Sequence, residues 1–240
     1  MTAIIAILVA VMVDRYAQYA PSGQALLRMR PTAWLNIYLF KGLNFLEKVG
    51  IKNNYLILLS IFLPLSISLL LLKLLFGLLF GSIGALLFLC LALFYFLGNR
   101  DVAHNSSELV TSHESSFGVL FWFAVLGPTG ALLYWFLVAS NSASFSNHAG
   151  LHATLSRLHG WAAWIPARIT GFIYALVGNF GPGCRCLINS VCTPSKPSSQ
   201  VLQECGHAAL DTTTVDDESS LVARAFIAWV VVCILIVAFK

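Results

Sequence analysis

Residues 118–134 read GVLFWFAVLGPTGALLY, an apolar run that Gly127, Pro128, Thr129 and Gly130 interrupt near its centre. A helix that crosses hydrocarbon must satisfy its own backbone hydrogen bonds, and proline removes one of the donors. A break of this kind is tolerated at membrane depth only where it contacts protein or a water-filled cavity. The stretch therefore predicts a broken membrane helix and a candidate site at the break.

The composition of the whole chain is that of a membrane protein. Of its 240 residues, 58% are hydrophobic and 10% are charged, and the mean hydropathy of +0.82 is far above that of a soluble domain. Spanning a hydrocarbon core takes about 17 to 25 apolar residues. Runs near that length are residues 55–80, 83–98, 117–139, 161–180 and 221–239.

These runs predict an all-α, polytopic helical membrane protein, a single domain over residues 1–240 with about four to six membrane segments. The shorter apolar run at 3–13 is expected to be a retained anchor, because no small-residue cleavage site follows it. The glycine- and serine-rich stretch 77–84 predicts a hairpin between the runs at 55–80 and 83–98. Residues 181–220 form a polar, cysteine-containing loop in this interpretation.

Basic residues concentrate in the segment 14–55, which the positive-inside rule places in the cytoplasm. They are Arg15, Arg28, Arg30, Lys41, Lys48 and Lys52, against only two acidic residues, Asp14 and Glu47. The net charge of +4 predicts the lipid bilayer as a partner, through anionic headgroups at this loop, and no pattern points to nucleic acid. Within 31–51, apolar positions at helical spacing predict an amphipathic helix on the membrane surface: Trp34, Ile37, Tyr38, Phe45 and Leu46.

Ionisable residues beside or within apolar runs are the second signal for a site. Arg168 lies in WAAWIPARITGFIYALVGNF, two residues after Pro166, and either snorkels to a membrane surface or faces an anionic small-molecule ligand or Glu114. Glu114 lies just before the run at 117–139, where it either favours a helix N-terminus or contributes to a ligand site. The catalytic residues, if the chain has any, are not indicated.

Two histidine and cysteine patterns resemble metal sites without matching one. His148, His152 and His159 share a helical face but lack a carboxylate. The cysteines have the spacing C-x-C-x5-C-x12-C, which differs from common zinc sites, and a cytoplasmic loop favours reduced thiols; they are Cys184, Cys186, Cys192 and Cys205. We therefore expect no metal site and no cofactor.

Two motifs, FGVLFWFAVLGPTGALLY at 117–134 and WIPARITGFIYALVGNF at 164–180, resemble the AmpE family of bacterial inner-membrane proteins. That family is related to the CbiB/CobD cobinamide-phosphate synthases. The resemblance implies a multi-pass inner-membrane signalling modulator, linked to β-lactamase induction, the antibiotic response and cell-wall-fragment sensing. AmpE-like chains usually have arginine where this chain has Trp135. The synthases carry a Glu-Asn-Thr run where this chain has His113-Glu114-Ser115-Ser116, without the asparagine.

The principal hypothesis is therefore an AmpE-like modulator, and the alternative is an amide-forming enzyme of cobalamin biosynthesis resembling CbiB/CobD. Such an enzyme would bind a corrinoid acid, an amino alcohol phosphate and ATP with Mg²⁺. A structural bundle that recruits partners through its basic loop is a third class, but it leaves the Gly-Pro break without a purpose. The residues expected to line one polar ligand pocket are Glu114, Gly127, Pro128, Thr129, Gly130, Tyr134, Pro166 and Arg168.

The orientation of the basic segment can be tested with a cysteine at Ser22. If residues 14–55 are cytoplasmic, Ser22→Cys is expected to resist membrane-impermeant thiol reagents in intact cells and to react after the membrane is opened. Ready labelling in intact cells would show that this segment lies outside the cytoplasm and would contradict the predicted topology.

Overall fold

The computed structural model describes residues 2–19, 33–49, 53–97, 107–142, 149–191, 196–210 and 218–239, and all regular structure within them is helical. Arg28, Arg30, Lys52, His148 and Cys192, which entered the sequence-based expectations, lie outside these ranges. The helices are α1 (Thr2–Tyr19), α2 (Ala33–Val49), α3 (Asn54–Phe96), α4 (Glu108–Leu126), α5 (Pro128–Ser142), α6 (Ala149–Val177), α7 (Phe180–Val191), α8 (Ser198–Ala209) and α9 (Glu218–Ala238).

Three helices, α3, α4 and α9, are long and apolar enough to cross a membrane. The side chains of α3 face outward along much of its length, with Leu71 62% and Leu78 75% exposed. Apolar exposure of this extent is unfavourable in water and expected in lipid. The prediction of an all-α helical membrane protein is confirmed, and the apolar helices indicate a lipid environment.

The break at Gly127 is a reversal of the chain. Gly127 has φ +73° and ψ −155°, and it separates α4 from α5. In a straight helix Gly118 and Tyr134 would lie about 24 Å apart, yet a Cβ on Gly118 would overlap the Tyr134 ring. The interruption predicted from the sequence is confirmed, but residues 117–139 form an antiparallel hairpin and not one broken crossing.

Gly81 makes a second reversal with the same geometry, at φ +60° and ψ −143° inside α3. The rings of Phe76 and Phe88 lie 5.9 Å apart, although twelve residues of straight helix would separate them by about 18 Å. Each hairpin has a second glycine three residues after the turn glycine. This second glycine lies against a backbone carbonyl of the preceding helix, five residues before the turn glycine. These pairs are Gly84 with Phe76 and Gly130 with Trp122. The predicted hairpin at 77–84 is confirmed.

Several boundaries differ from those expected. Helix α4 begins at Glu108, so Glu114 lies within a helix and not before one. Helix α6 begins at Ala149, twelve residues before the apolar run at 161–180. The polar loop expected at 181–220 contains two helices, α7 and α8, and α8 packs against α6.

The helix predicted within 31–51 is present as α2, but its apolar residues occupy two faces. Its buried face contains Leu35, Leu39 and Leu43, which the sequence-based interpretation did not include. Ile37 and Phe45 are exposed, as expected for a surface that faces lipid. The helix therefore packs on the bundle with one face and presents apolar side chains outward with the other.

The two reversals predict a specific sensitivity to alanine. No atom lies within 4 Å of a Cβ built on Gly81 or Gly127, so alanine would be opposed by backbone strain alone. We expect Gly81→Ala and Gly127→Ala each to lower the free energy of unfolding by about 1–3 kcal/mol, since this backbone region is nearly exclusive to glycine.

Gly77→Ala is the matched control, because Gly77 is helical and its Cβ would also meet open space. It is expected to stabilise the helix by up to about 1 kcal/mol. Thermal unfolding in detergent measures all three variants. Equal thermal stability of Gly77→Ala and Gly127→Ala would contradict the expected backbone strain at Gly127.

Candidate functional site

Helix α4 contains a π-helical turn over His113–Phe117, in which the Gly118 N–H bonds to the His113 carbonyl five residues earlier. Turns of this type insert one extra residue into a helix and are frequent at functional sites. His113 is 1% exposed. The turn thus places a buried imidazole and the Glu114 carboxylate at consecutive positions, just before the apolar part of the helix at 117–126.

Pro166 lies inside helix α6 and leaves one backbone carbonyl of that helix without its usual donor. Proline has no N–H, so the carbonyl four residues earlier, that of Ala162, loses its helical partner. The Trp122 indole of α4 donates to this carbonyl, with 3.0 Å between Nε1 and the oxygen. The contact satisfies the freed carbonyl and links α4 to α6.

The Thr170 hydroxyl of α6 connects three helices. It donates to the Pro166 carbonyl at 2.8 Å, lies 3.0 Å from His113 Nδ1, and accepts from the Trp229 Nε1 of α9 at 3.1 Å. A hydroxyl has one proton to donate and two lone pairs. Because the proton goes to Pro166, both other contacts must be accepted by the threonine oxygen.

This arrangement assigns the tautomer of His113. Its Nδ1 carries the proton that Thr170 accepts, so a neutral ring holds a lone pair at Nε2. His113 Nε2 is buried and has no hydrogen-bond partner among the described residues. The imidazole is therefore held in place through one nitrogen while the other remains available as an acceptor.

A cavity of about 230 Å³ lies beside His113, between α4, α5, α6 and the start of α8. Polar atoms that are buried and lack a partner in the described structure include His113 Nε2, Asn141 Oδ1 and His159 Nε2, and all three residues line this cavity. The remaining lining residues are Val110, Glu114, Ser156, Gly160, Ala163, Pro197, Ser198, Ser199 and Leu202. Buried polar groups without partners are costly, so their convergence on one cavity indicates that water or a polar ligand occupies it.

Glu114 and Tyr134 both lie near His159, but Tyr134, which was expected in the pocket, does not line the cavity. The Glu114 Oε1 lies 3.9 Å from His159 Nε2, beyond hydrogen-bond distance, and the Tyr134 ring lies 6.0 Å from the His159 ring. The Tyr134 hydroxyl is buried without a partner among the described residues. The absence of a side chain at Gly118 makes room for this ring.

The twelve-residue helix α8 begins at the cavity, where Ser198 and Ser199 belong to the lining. Its first backbone N–H groups have no side-chain cap, and such a terminus favours a negative charge. Just before it, Lys196 Nζ lies 2.9 Å from Glu204 Oε2. The hydrogen bond to Glu204 raises the pKa of Lys196, and the hydrogen bonds from Lys196 and Gln200 lower the pKa of Glu204.

The other residues expected in the pocket lie elsewhere. Gly127, Pro128, Thr129 and Gly130 form the hairpin turn, where the Thr129 hydroxyl donates to the Leu126 carbonyl at 3.1 Å. They do not line the cavity of Glu114, because the turn is about 20 Å along α4 from that residue.

Arg168 makes its contacts within α6. Its Nη1 donates to the Trp164 carbonyl at 3.1 Å, and its guanidinium lies 4.1 Å from the centre of the Trp164 ring. The described residues show no ion pair between Arg168 and Glu114, so the structure does not bring these two together. Its Nε and Nη2 are buried without partners among the described residues, and a ligand role for Arg168 stays a prediction.

Three cavity residues were not identified as a set from the sequence. From the sequence, His113 was considered only as part of the run at 113–116, His159 only as a metal ligand, and Asn141 not at all. Asn141 is an amide side chain in the last turn of α5, and a polar group at the end of an apolar run is a signal that could have been used. Among the described residues, no three histidine, cysteine or acidic side chains are close enough to hold a metal ion.

Two of the cysteines lie close together. Cys186 and Cys205 place their sulfur atoms 2.8 Å apart, between α7 and α8. Burial raises the pKa of the Cys205 thiol to about 12. The sequence predicts that these cysteines are reduced and bind no zinc. That expectation stays a prediction.

The fold and this cavity define a helical membrane protein with a small polar site inside its bundle. A cobalamin biosynthesis protein CobD of Chromobacterium violaceum is 32% identical to the chain over 125 residues, which cover 48% of the chain and 38% of that protein. The chain therefore spans less than two-fifths of the length of this relative. No protein-family model matches the chain, and no solved structure matches it.

The similarity is to part of a CobD protein. It favours the cobalamin-related alternative, and it does not support the AmpE interpretation.

The Thr170 connection predicts a large effect of an isosteric change. Thr170→Val removes the hydroxyl and leaves the Trp229 N–H and His113 Nδ1 without their acceptor in a buried site. We expect the free energy of unfolding to fall by about 1–3 kcal/mol for each group left unpaired.

Thr111→Val is the control, because the Thr111 hydroxyl donates only to the Ser107 carbonyl of the same chain segment. It is expected to change stability by about 0.5 kcal/mol or less. Thermal unfolding of the two variants decides between a connecting and a merely local role for Thr170.

Proposed function

We propose that this chain is a CobD/CbiB-like membrane protein that acts in amide formation during cobalamin biosynthesis and binds the amino alcohol phosphate substrate. The observation that carries the proposal is the acceptor-rich cavity of His113, Glu114 and Asn141. The similarity to a CobD protein supports the class of reaction. A multi-pass location in a bacterial inner membrane is part of the same proposal.

The polar atoms of the cavity match an ammonium group. A carboxylate, an amide oxygen and an unprotonated imidazole nitrogen all accept hydrogen bonds, and an ammonium offers three donors and a positive charge. Among the described residues, no lysine or arginine lines the cavity to oppose that charge. The Glu114 carboxylate would hold the amine and the adjacent imidazoles could accept its proton, which an amine must lose before it forms an amide.

The phosphate of the same substrate matches the start of α8. Helix N-termini bind phosphate through free N–H groups and the helix dipole, and the hydroxyls of Ser198 and Ser199 add further donors at the cavity. The ligand would thus lie with its amine towards α4 and its phosphate towards α8. A cavity of about 230 Å³ is smaller than the roughly 300–1,000 Å³ typical of larger ligands, so a corrinoid acid would approach from outside it.

The described residues are assigned only to the amine substrate. They include no cluster of three potential metal ligands, and we assign no residue to Mg²⁺ or ATP. The AmpE-like signalling role, with its link to β-lactamase induction, rests on the sequence motifs alone. No contact in the described structure favours it over the cobalamin-related function.

The proposal predicts that Glu114→Gln weakens the binding of ethanolamine phosphate by about tenfold to a hundredfold, because one charge-assisted hydrogen bond is lost. Glu204→Gln removes the same charge from α8 outside the cavity lining, and it is expected to bind as the wild type does. Calorimetry on detergent-purified protein measures the dissociation constants. Ethanolamine and inorganic phosphate, each lacking half of the ligand, are expected to bind more weakly.

An assay of corrinoid amidation in membranes that contain the protein tests the reaction itself. We expect amide product with wild-type protein and a loss that follows the binding defect in Glu114→Gln. Binding without product would restrict the chain to capture of the amine. Unchanged binding of ethanolamine phosphate by Glu114→Gln would place the ligand outside this cavity. A variant that changes β-lactamase induction but not corrinoid amidation would favour the AmpE-like role.

A further inference from the structure

A second recess, which is apolar where the first is polar, lies between α1 and α9. It is an open groove of about 650 Å³ whose lining is apolar except for Arg15. Large apolar side chains are exposed along both walls: Met12 is 72% exposed on α1, and Ile227 is 70% exposed on α9. The groove is separate from the cavity of Glu114, with which it shares no lining residue.

Arg15 lies at the polar end of this groove. Its guanidinium carbon is 3.8 Å from the centre of the Phe226 ring, a distance at which the planar group stacks on the ring face. Stacking of this kind fixes the orientation of the guanidinium group but leaves the N–H groups at its edge able to donate hydrogen bonds. Among the described residues, no carboxylate forms an ion pair with Arg15.

The dimensions of the groove match one leaflet of a bilayer. On α9 it extends from Ala223, five residues after the start of the helix, to Ile234. Eleven residues of helix cover about 16 Å, close to half of a hydrocarbon core of about 30 Å. Arg15 therefore marks the level of the headgroups, and the apolar walls extend from it to the middle of the membrane.

We propose that the groove binds an anionic phospholipid, with one acyl chain between α1 and α9 and the phosphate on the Arg15 guanidinium. Arginine offers phosphate two parallel charge-assisted hydrogen bonds. An apolar helix from a second copy would cover the walls but would leave Arg15 buried and unpaired, which is costly in a membrane. An anionic lipid covers the apolar walls with its acyl chain and pairs its phosphate with the Arg15 guanidinium.

The test is native mass spectrometry of the full chain in mild detergent, titrated with phosphatidylglycerol or with diacylglycerol of the same acyl chains. We expect phosphatidylglycerol to bind at least tenfold more tightly than diacylglycerol. Arg15→Gln is expected to abolish that difference, while the binding of diacylglycerol is unchanged. Arg224→Gln is the matched control, because Arg224 is next to Ala223 on α9 but does not line the groove.

A second variant examines the apolar part of the site. Ala223 is exposed in the groove, so Ala223→Phe fills the space beside Arg15 without disturbing the core, and it is expected to reduce binding of both lipids while thermal unfolding is unchanged. Equal binding of both lipids by the wild type and Arg15→Gln would show general lipid contact and overturn the proposal. A dimer that Ala223→Phe dissociates would identify a second copy as the occupant and overturn it as well.

Discussion

The constraint on which the structure depends is the reversal of the chain at two glycines with positive φ. Within hydrocarbon the backbone must remain hydrogen-bonded, and a reversal with almost no loop meets this requirement, because each helix keeps its own bonds up to the turn. Gly127 and Gly81 adopt a conformation that side chains oppose. A second glycine, three residues later in each case, allows the returning helix to approach a backbone carbonyl.

The hairpin at Gly127 also builds the polar cavity. Because α5 returns antiparallel to α4, Tyr134 lies against Gly118, and Asn141 reaches the level of Val110 and the π-helical turn. The reversal is therefore distant from the site along the helix but decides which side chains form it. This separates the Gly-Pro-Thr-Gly motif, which shapes the backbone, from the residues that could contact a ligand.

Satisfied and unsatisfied polar groups divide the interior into two parts. Around Pro166, the carbonyl of Ala162 and the hydroxyl of Thr170 find partners on α4 and α9, so the polar atoms there stabilise the helix packing. One turn away in space, His113 Nε2, Asn141 Oδ1 and His159 Nε2 have none within the described ranges. Groups of the first kind hold helices together, whereas those of the second kind are kept free at a cost in stability that a ligand can repay.

The sequence by itself determined the membrane environment and the positions of the apolar helices. The length and apolarity of its runs indicate helices in a membrane, and the glycine spacing predicted the hairpin near Gly81. Such features depend on local composition and on backbone rules that hold for any bilayer.

Tertiary structure alone decided the direction of the chain after Gly127, the separation of Arg168 from Glu114, and the gathering of His113, Asn141 and His159. A broken helix and a hairpin have the same sequence signature, because both need glycine at the break. Which polar side chains share a cavity depends on how helices that are distant in sequence pack, and helical periodicity within one segment does not contain that information.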